Sequence, residues 1–140
     1  MSLSDVIKKA IDRISEKPGI KDKFQSFEGD KVALKLKGDK TLIFTVTDGV
    51  PVLVESEAEV QSARAVAEID AKEFAKFIDG REHFGALFKI DFEKQFKTEK
   101  GEFYDFGGDF MLLGPLCDEL TRVYMEDSEI RNMMEKYKKL

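Results

Sequence analysis

The chain has no tryptophan, a single cysteine, a single histidine and no long apolar run. One cysteine, Cys117, excludes an internal disulfide and points to a reducing, cytoplasmic setting. No stretch reaches the roughly 18 apolar residues of a membrane span. The first residues lack the basic, apolar, small-residue order of a secretory signal. The final Lys138-Lys139-Leu140 matches a peroxisomal address only loosely. No Lys/Arg cluster offsets the net charge of −5, and the pI near 5.1 argues against a nucleic-acid partner.

Scarcity also limits chemistry. His83 has Glu82 and Asp79 nearby in sequence, but adjacent residues do not converge as ligands on a helix, so a solvated side chain is expected and no metal or cofactor is called for. Cys117 lies in an apolar helical pattern and reads as a buried thiol, with no base close in sequence to make it a nucleophile. Gly107-Gly108-Asp109 lacks the length and the following lysine of a phosphate loop and reads as a turn. The alternating Glu55, Glu57 and Glu59 read as a solvated acidic loop.

What is abundant is order of period two. Val32, Leu34 and Leu36, then Leu42, Phe44 and Val46, then Val50, Val52 and Val54 each alternate with other residues. Successive strand side chains point to opposite faces, so this is the pattern of strands with one buried face. Gly38-Asp39-Lys40 and Asp48-Gly49 separate the runs, and Asp-Gly between strands is a strong hairpin signal. Residues 31–55 therefore read as a three-stranded antiparallel meander, with Leu34, Phe44 and Val52 expected on its covered face. Residues 56–62 read as a polar loop. A fourth strand follows at 63–69, with Ala65, Ala67 and Ile69 on one side.

Helices flank these strands. Val6, Ile7, Ala10, Ile11 and Ile14 make a stripe over residues 2–17, with Ser2 and Asp5 as a capping box and Pro18-Gly19 as the stop. Residues 20–28 read as a connector. Asp70 is placed to cap a helix whose apolar side is Phe74, Phe77 and Ile78, ending at Gly80. In residues 82–96, Phe84, Phe88, Phe92 and Phe96 recur every fourth position, which favours a helix; Phe88, Ile90 and Phe92 also alternate, so a strand stays open. A charged turn at 97–102 and a last strand at 103–106 come next, then breaks at 107–109 and at Gly114-Pro115. Residues 116–139 read as one long C-terminal helix. All 140 residues suit a single domain able to bury roughly 68% of its unfolded surface.

Twelve Phe are present, nine of them between Phe74 and Phe110. Such a surplus of rings means a dense core or an aromatic-lined pocket. The alanines of the fourth strand sharpen the choice. Ala65 and Ala67 face large rings that cannot all interdigitate, and a mismatch in size implies a void or a guest in an otherwise close-packed interior.

This order of elements resembles the sterol carrier protein type 2 family of small lipid-binding domains. Three places carry the likeness: the meander with its Asp48-Gly49 turn, the run Ala-Glu-Ile-Asp-Ala-Lys-Glu-Phe at 67–74, and the glycine-bounded strand and turn at 101–109. It spans about residues 5–124. Residues 81–100 depart from the family pattern in being longer, proline-free and rich in Phe, and Gly114-Pro115 interrupts the expected terminal helix.

The resemblance implies an α+β fold: a twisted, mainly antiparallel five-stranded sheet covered on one face by helices, with an apolar tunnel between them. It implies no catalytic residue, and binding or carriage of a fatty acid, acyl-CoA or sterol-like lipid. The expected lining is Phe44, Ala65, Ala67, Phe74, Phe77, Ile78, Phe84 and Phe88, with Leu120 and Val123 closing one end. Lys72, Lys76 and Arg81 could meet a lipid carboxylate or phosphate at its mouth. Two other readings stay open: a module whose apolar groove holds a partner helix, and an accessory subunit of an acyl-CoA enzyme. The oligomeric state is left open.

Overall fold

A computed structural model describes residues 1–54, 63, 65–82, 101–103 and 111–140, the 101–103 stretch by its backbone only. Helix α1, Leu3–Ser15, begins as its capping box demands: the Ser2 hydroxyl accepts from Asp5 N–H, and the Asp5 carboxylate accepts from Ser2 N–H at 3.0 Å. The next elements are α2 (Ile20–Phe24) and a 3₁₀ turn (Gln25–Phe27). The meander follows as β1 (Lys31–Lys37), β2 (Thr41–Thr47) and β3 (Val50–Val54). Strand β4 (Ala65–Asp70) runs into α3 (Ala71–Ile78), and the Asp70 carboxylate caps that helix by accepting from Lys72 N–H at 2.9 Å. Strand β5 (Gly101–Phe103) and helices α4 (Leu113–Glu126) and α5 (Ser128–Lys138) complete the described chain.

The strand order is β3-β2-β1-β4-β5. The sheet is mixed, because β1 and β4 at its centre run parallel while the other three pairings are antiparallel. Five strands were expected, the last a short one at 103–106. Instead four strands form the body, and a three-residue fifth lies along β4, with Gly101 opposite Ile69 and Glu102 opposite Glu68. Those two positions had read as a turn. Residues 55–62, 64, 83–100 and 104–110 lie outside the description, and with them the loop at 56–62, all but the first residue of the helix-or-strand question at 82–96 and the turn at 107–109.

One register expectation fails. Phe44 pairs with Leu53 and Thr45 with Val52, so Phe44 and Val52 are on opposite faces. The cause is the turn. Asp48 and Gly49 both have positive φ, 54° and 78°, and form a two-residue connection that sets Thr47 against Val50. Counting back from that pair puts even positions of β2 against odd positions of β3. The covered face is thus Val32, Leu34 and Leu36, Leu42, Phe44 and Val46, Ala65, Ala67 and Ile69, with Leu53 packed against them. The meander also buries apolar groups on its other face. Ala33 and Ile43 are 0% and 1% exposed, in one cross-strand row with Val54 and Val66.

A second correction concerns the C-terminal helix, which is two helices. Asp127 adopts extended angles, φ −109° and ψ 114°, and its carboxylate accepts from Glu129 and Ile130 N–H, capping α5 afresh. The apolar periodicity runs on past Asp127 and hides the break, which is made by a cap that satisfies two orphan amides. Gly114-Pro115, read as a break, lies inside the first turn of α4. Proline is tolerated there because first-turn amides have no intrahelical acceptor.

Helices α1, α3 and α4 meet the sheet or one another through one contiguous core, and α5 packs on α1 and α4. Two carboxylates tie loops to this frame. Asp39, in the first hairpin turn, accepts from Leu3 N–H at 2.8 Å and from the Ser4 hydroxyl at 2.7 Å, anchoring the start of α1. Glu28 accepts from Asp48 and Gly49 N–H at 2.8 and 3.1 Å, holding the second turn.

Candidate functional site

The expected lining residues come together. Phe44, Ala65, Ala67, Phe74, Phe77, Ile78, Leu120 and Val123 all belong to one buried cluster, each 4% exposed or less. The period-two pattern of β2 and β4 and the single apolar stripe of α3 leave no other face to bury. The Phe74 and Phe77 rings lie 6.1 Å apart, tilted by 49°. Phe84, Phe88 and His83 lie outside the described residues.

A cleft of about 390 Å³ reaches this cluster at Phe77, between the end of α3 and one side of α4 from Gly114 to Met125. Cys117, Thr121, Asp118 and Met125 of α4 line it with Phe77, and Glu82 and Gly114 are at its edges. Its floor is apolar: Phe77 and Cys117 are 2% and 3% exposed. Its polar lining residues are Asp118, Thr121 and Glu82, and the apolar Met125 beside them is 69% exposed. Thr121 fixes one wall, because its hydroxyl donates to Phe77 C=O at 2.7 Å and to Cys117 C=O at 3.1 Å.

The chemistry available there is binding rather than attack. Burial pushes the Cys117 thiol well up, and the Asp118 charge pushes it further, so the thiolate that a nucleophile needs is suppressed. The hydrogen bond from Lys23 holds Asp118 below the usual aspartate range; burial raises it, and Arg122 lowers it again. Among the described residues no group of three or more His, Cys, Asp or Glu could hold a metal ion, and no helix is long and apolar enough to cross a membrane.

Sequence reasoning reached Phe77 but missed Cys117, Thr121 and Met125. Cys117 and Thr121 are one helical turn apart, a spacing that would have placed them together beside the Leu120 stripe. The cations Lys72 and Lys76, along α3, and Arg81, just beyond it, line a second cleft.

No family model matches the chain, and no curated protein sequence matches it. Among solved structures, one described as "UbiJ-SCP2 Ubiquinone synthesis protein" superposes with a TM-score of 0.58. The match covers 84% of this chain and 94% of that one, at 15% sequence identity. The described chain has an SCP2-like fold, an α+β arrangement of a mixed sheet and helices.

Proposed function

We propose, with the SCP2-like fold as premise, that the chain is a single non-catalytic domain that binds or carries a lipid with a long apolar chain. The observation that carries this is the cleft of about 390 Å³ opening on Phe77 and Cys117 at the edge of the buried cluster. Its size falls in the roughly 300–1,000 Å³ range of small-molecule sites. The ten residues named from the sequence, Phe84 and Phe88 among them, are the proposed inner lining. Binding would be by burial: each methylene removed from water contributes about 0.8 kcal/mol, so chain length sets affinity more than any single polar contact. The suppressed Cys117 thiol supports a role without chemistry.

A second reading is an accessory role beside an enzyme of lipid synthesis. It is favoured by the structural neighbour, which is described as a ubiquinone synthesis protein. In both readings the apolar ligand is the same, and the partner differs.

A fluorescent fatty-acid probe tests the first reading. Saturable binding at one site per chain, weakened by Met125→Asp at the exposed rim, is the expected result. Met125 is 69% exposed, so this substitution should leave stability within about 0.5 kcal/mol. A probe that fails to saturate, or that ignores the rim charge, would remove the cleft from the proposal. Native mass spectrometry of gently purified protein, followed by lipid extraction, would identify any carried ligand.

A further inference from the structure

Four cations converge on one cleft in a chain whose net charge is −5. Lys72 and Lys76 of α3, Arg81 just beyond it and Lys138 of α5 line a space of about 380 Å³ together with Glu73 and Tyr137. The lining carries four positive charges and the negative Glu73, and two further carboxylates, Asp79 and Glu135, pair with its cations.

The carboxylates nearby are already engaged. Glu73 is 3.0 Å from Lys76 Nζ. Asp79, with its side chain 2% exposed, holds Arg81 Nε at 2.6 Å and Lys138 Nζ at 3.0 Å, and Glu135 also lies 3.0 Å from Lys138 Nζ. Asp70 is taken up by Lys72 N–H, and Asp39, which also acts on Tyr137, by Leu3 and Ser4.

Two features make this more than a scatter of surface lysines. First, the buried Asp79 fixes two cations, Arg81 just after α3 and Lys138 of α5, at one wall, so their ordering precedes any ligand. Second, donors remain. Arg81 meets Asp79 through Nε, and its two Nη groups make no bond among the described residues. Lys72 is exposed and its ammonium has no ion pair among the described residues, and the Tyr137 hydroxyl has no hydrogen-bond partner there. A guanidinium fork flanked by ammonium groups fits a tetrahedral oxyanion of charge near −2 better than a single carboxylate.

We infer that this cleft binds the phosphate group of an organic phosphate. Carried on the lipid proposed above, the phosphate would be that ligand's head group, since the first cleft is lined by Gly80 and Glu82 and the second by Arg81 between them. On a chain-free molecule it would be a separate ligand.

Amide chemical shifts of the whole chain, followed during titration with inorganic phosphate, dodecyl phosphate and dodecanol, separate these cases. The comparison is with Lys72→Gln/Arg81→Gln, and with Lys72→Gln alone, whose exposed side chain puts no fold at risk. Shifts at Lys72, Lys76, Arg81 and Lys138 with inorganic phosphate, about tenfold weaker or absent in the double variant, support the site for chain-free phosphate. Shifts there with dodecyl phosphate only, weakened likewise while dodecanol binding is unchanged, support a lipid head-group site. Dodecyl phosphate binding wild type and both variants equally, or neither phosphate perturbing these residues, overturns the inference. Failure of dodecanol alone counts against the apolar-ligand reading and not against this one, because the inorganic phosphate arm contains no chain.

Discussion

The buried Glu119 carboxylate lies 3.0 Å from the Lys17 ammonium, joining α4 to the residues just after α1. Lys23, in α2, approaches the other oxygen at 2.7 Å. Glu119 is one of two buried polar residues among those described, so its charge depends on both lysines. Removing a partner from a buried pair costs ~3–5 kcal/mol, and the lysines here still reach water. Glu119→Ala is therefore expected to cost about 2 kcal/mol, discounted for that exposure. Denaturant midpoints of the variant and of Lys17→Met, alone and combined, check it: the two effects should be less than additive.

Acid should destabilise the fold through the same network. Burial raises the Glu119 carboxyl, but hydrogen bonds from Lys23 and Lys17 outweigh it and hold the group below its ordinary value. Asp5, held low chiefly by the Ser2 amide, and Asp127, held low chiefly by the Ile130 amide, shift in the same direction. Each binds its proton less readily when folded, so the unfolded chain takes up more protons as pH falls. Their stabilisation is complete above the ordinary values of 4.5 for Glu and 3.8 for Asp, and it is lost as pH drops through the lowered folded values. Urea titrations between about pH 7 and about pH 3 should show a plateau and then a decline; a midpoint that rises on acidification would contradict the assignment.

Asp70→Ala should cost about 1 kcal/mol, because the carboxylate accepts from Lys72 N–H at the first turn of α3. Asp70→Asn should recover most of it. Thermal unfolding of the three proteins is sufficient to see the order.

Gly49→Ala should cost about 1–3 kcal/mol. Its φ of +78° disfavours a side chain, and a Cβ there would sit 3.2 Å from Lys21 Cβ. Gly38→Ala, at φ +84° with nothing within 4 Å, bears only the conformational part and should cost less. Equal losses at the two turns would show that the Lys21 contact relaxes freely.

Ala67→Phe probes the heart of the buried cluster. Ala67 is 4% exposed and faces the same core as Phe74 and Phe77. If the space is packed, overpacking should cost about 1–3 kcal/mol and leave probe binding at the Phe77–Cys117 cleft intact. A ring accepted at little cost, with probe binding abolished, would extend the ligand site inward along β4.

Local pattern was enough for most of the framework. The alternation in β1, β2 and β4, the Ser2–Asp5 box and the Asp70 cap all act within a few residues, and each lies where the sequence placed it except that β4 begins at Ala65 and not at 63. The β2–β3 register was also encoded, in the two-residue turn, though the hydrophobic alternation of β3 suggested the opposite face. What no local signal could supply is convergence. Asp79 draws Arg81 and Lys138 together, Glu119 draws Lys17 and Lys23, and Thr121 closes on Phe77 only because α4 crosses the end of α3. The division of the last helix at Asp127 belongs here too, since Arg13 of α1 meets that carboxylate at 3.1 Å. Helix and strand periodicity decides which face of an element is buried; the packing of one element on another decides which polar groups share a cleft, and those are the groups a ligand would meet.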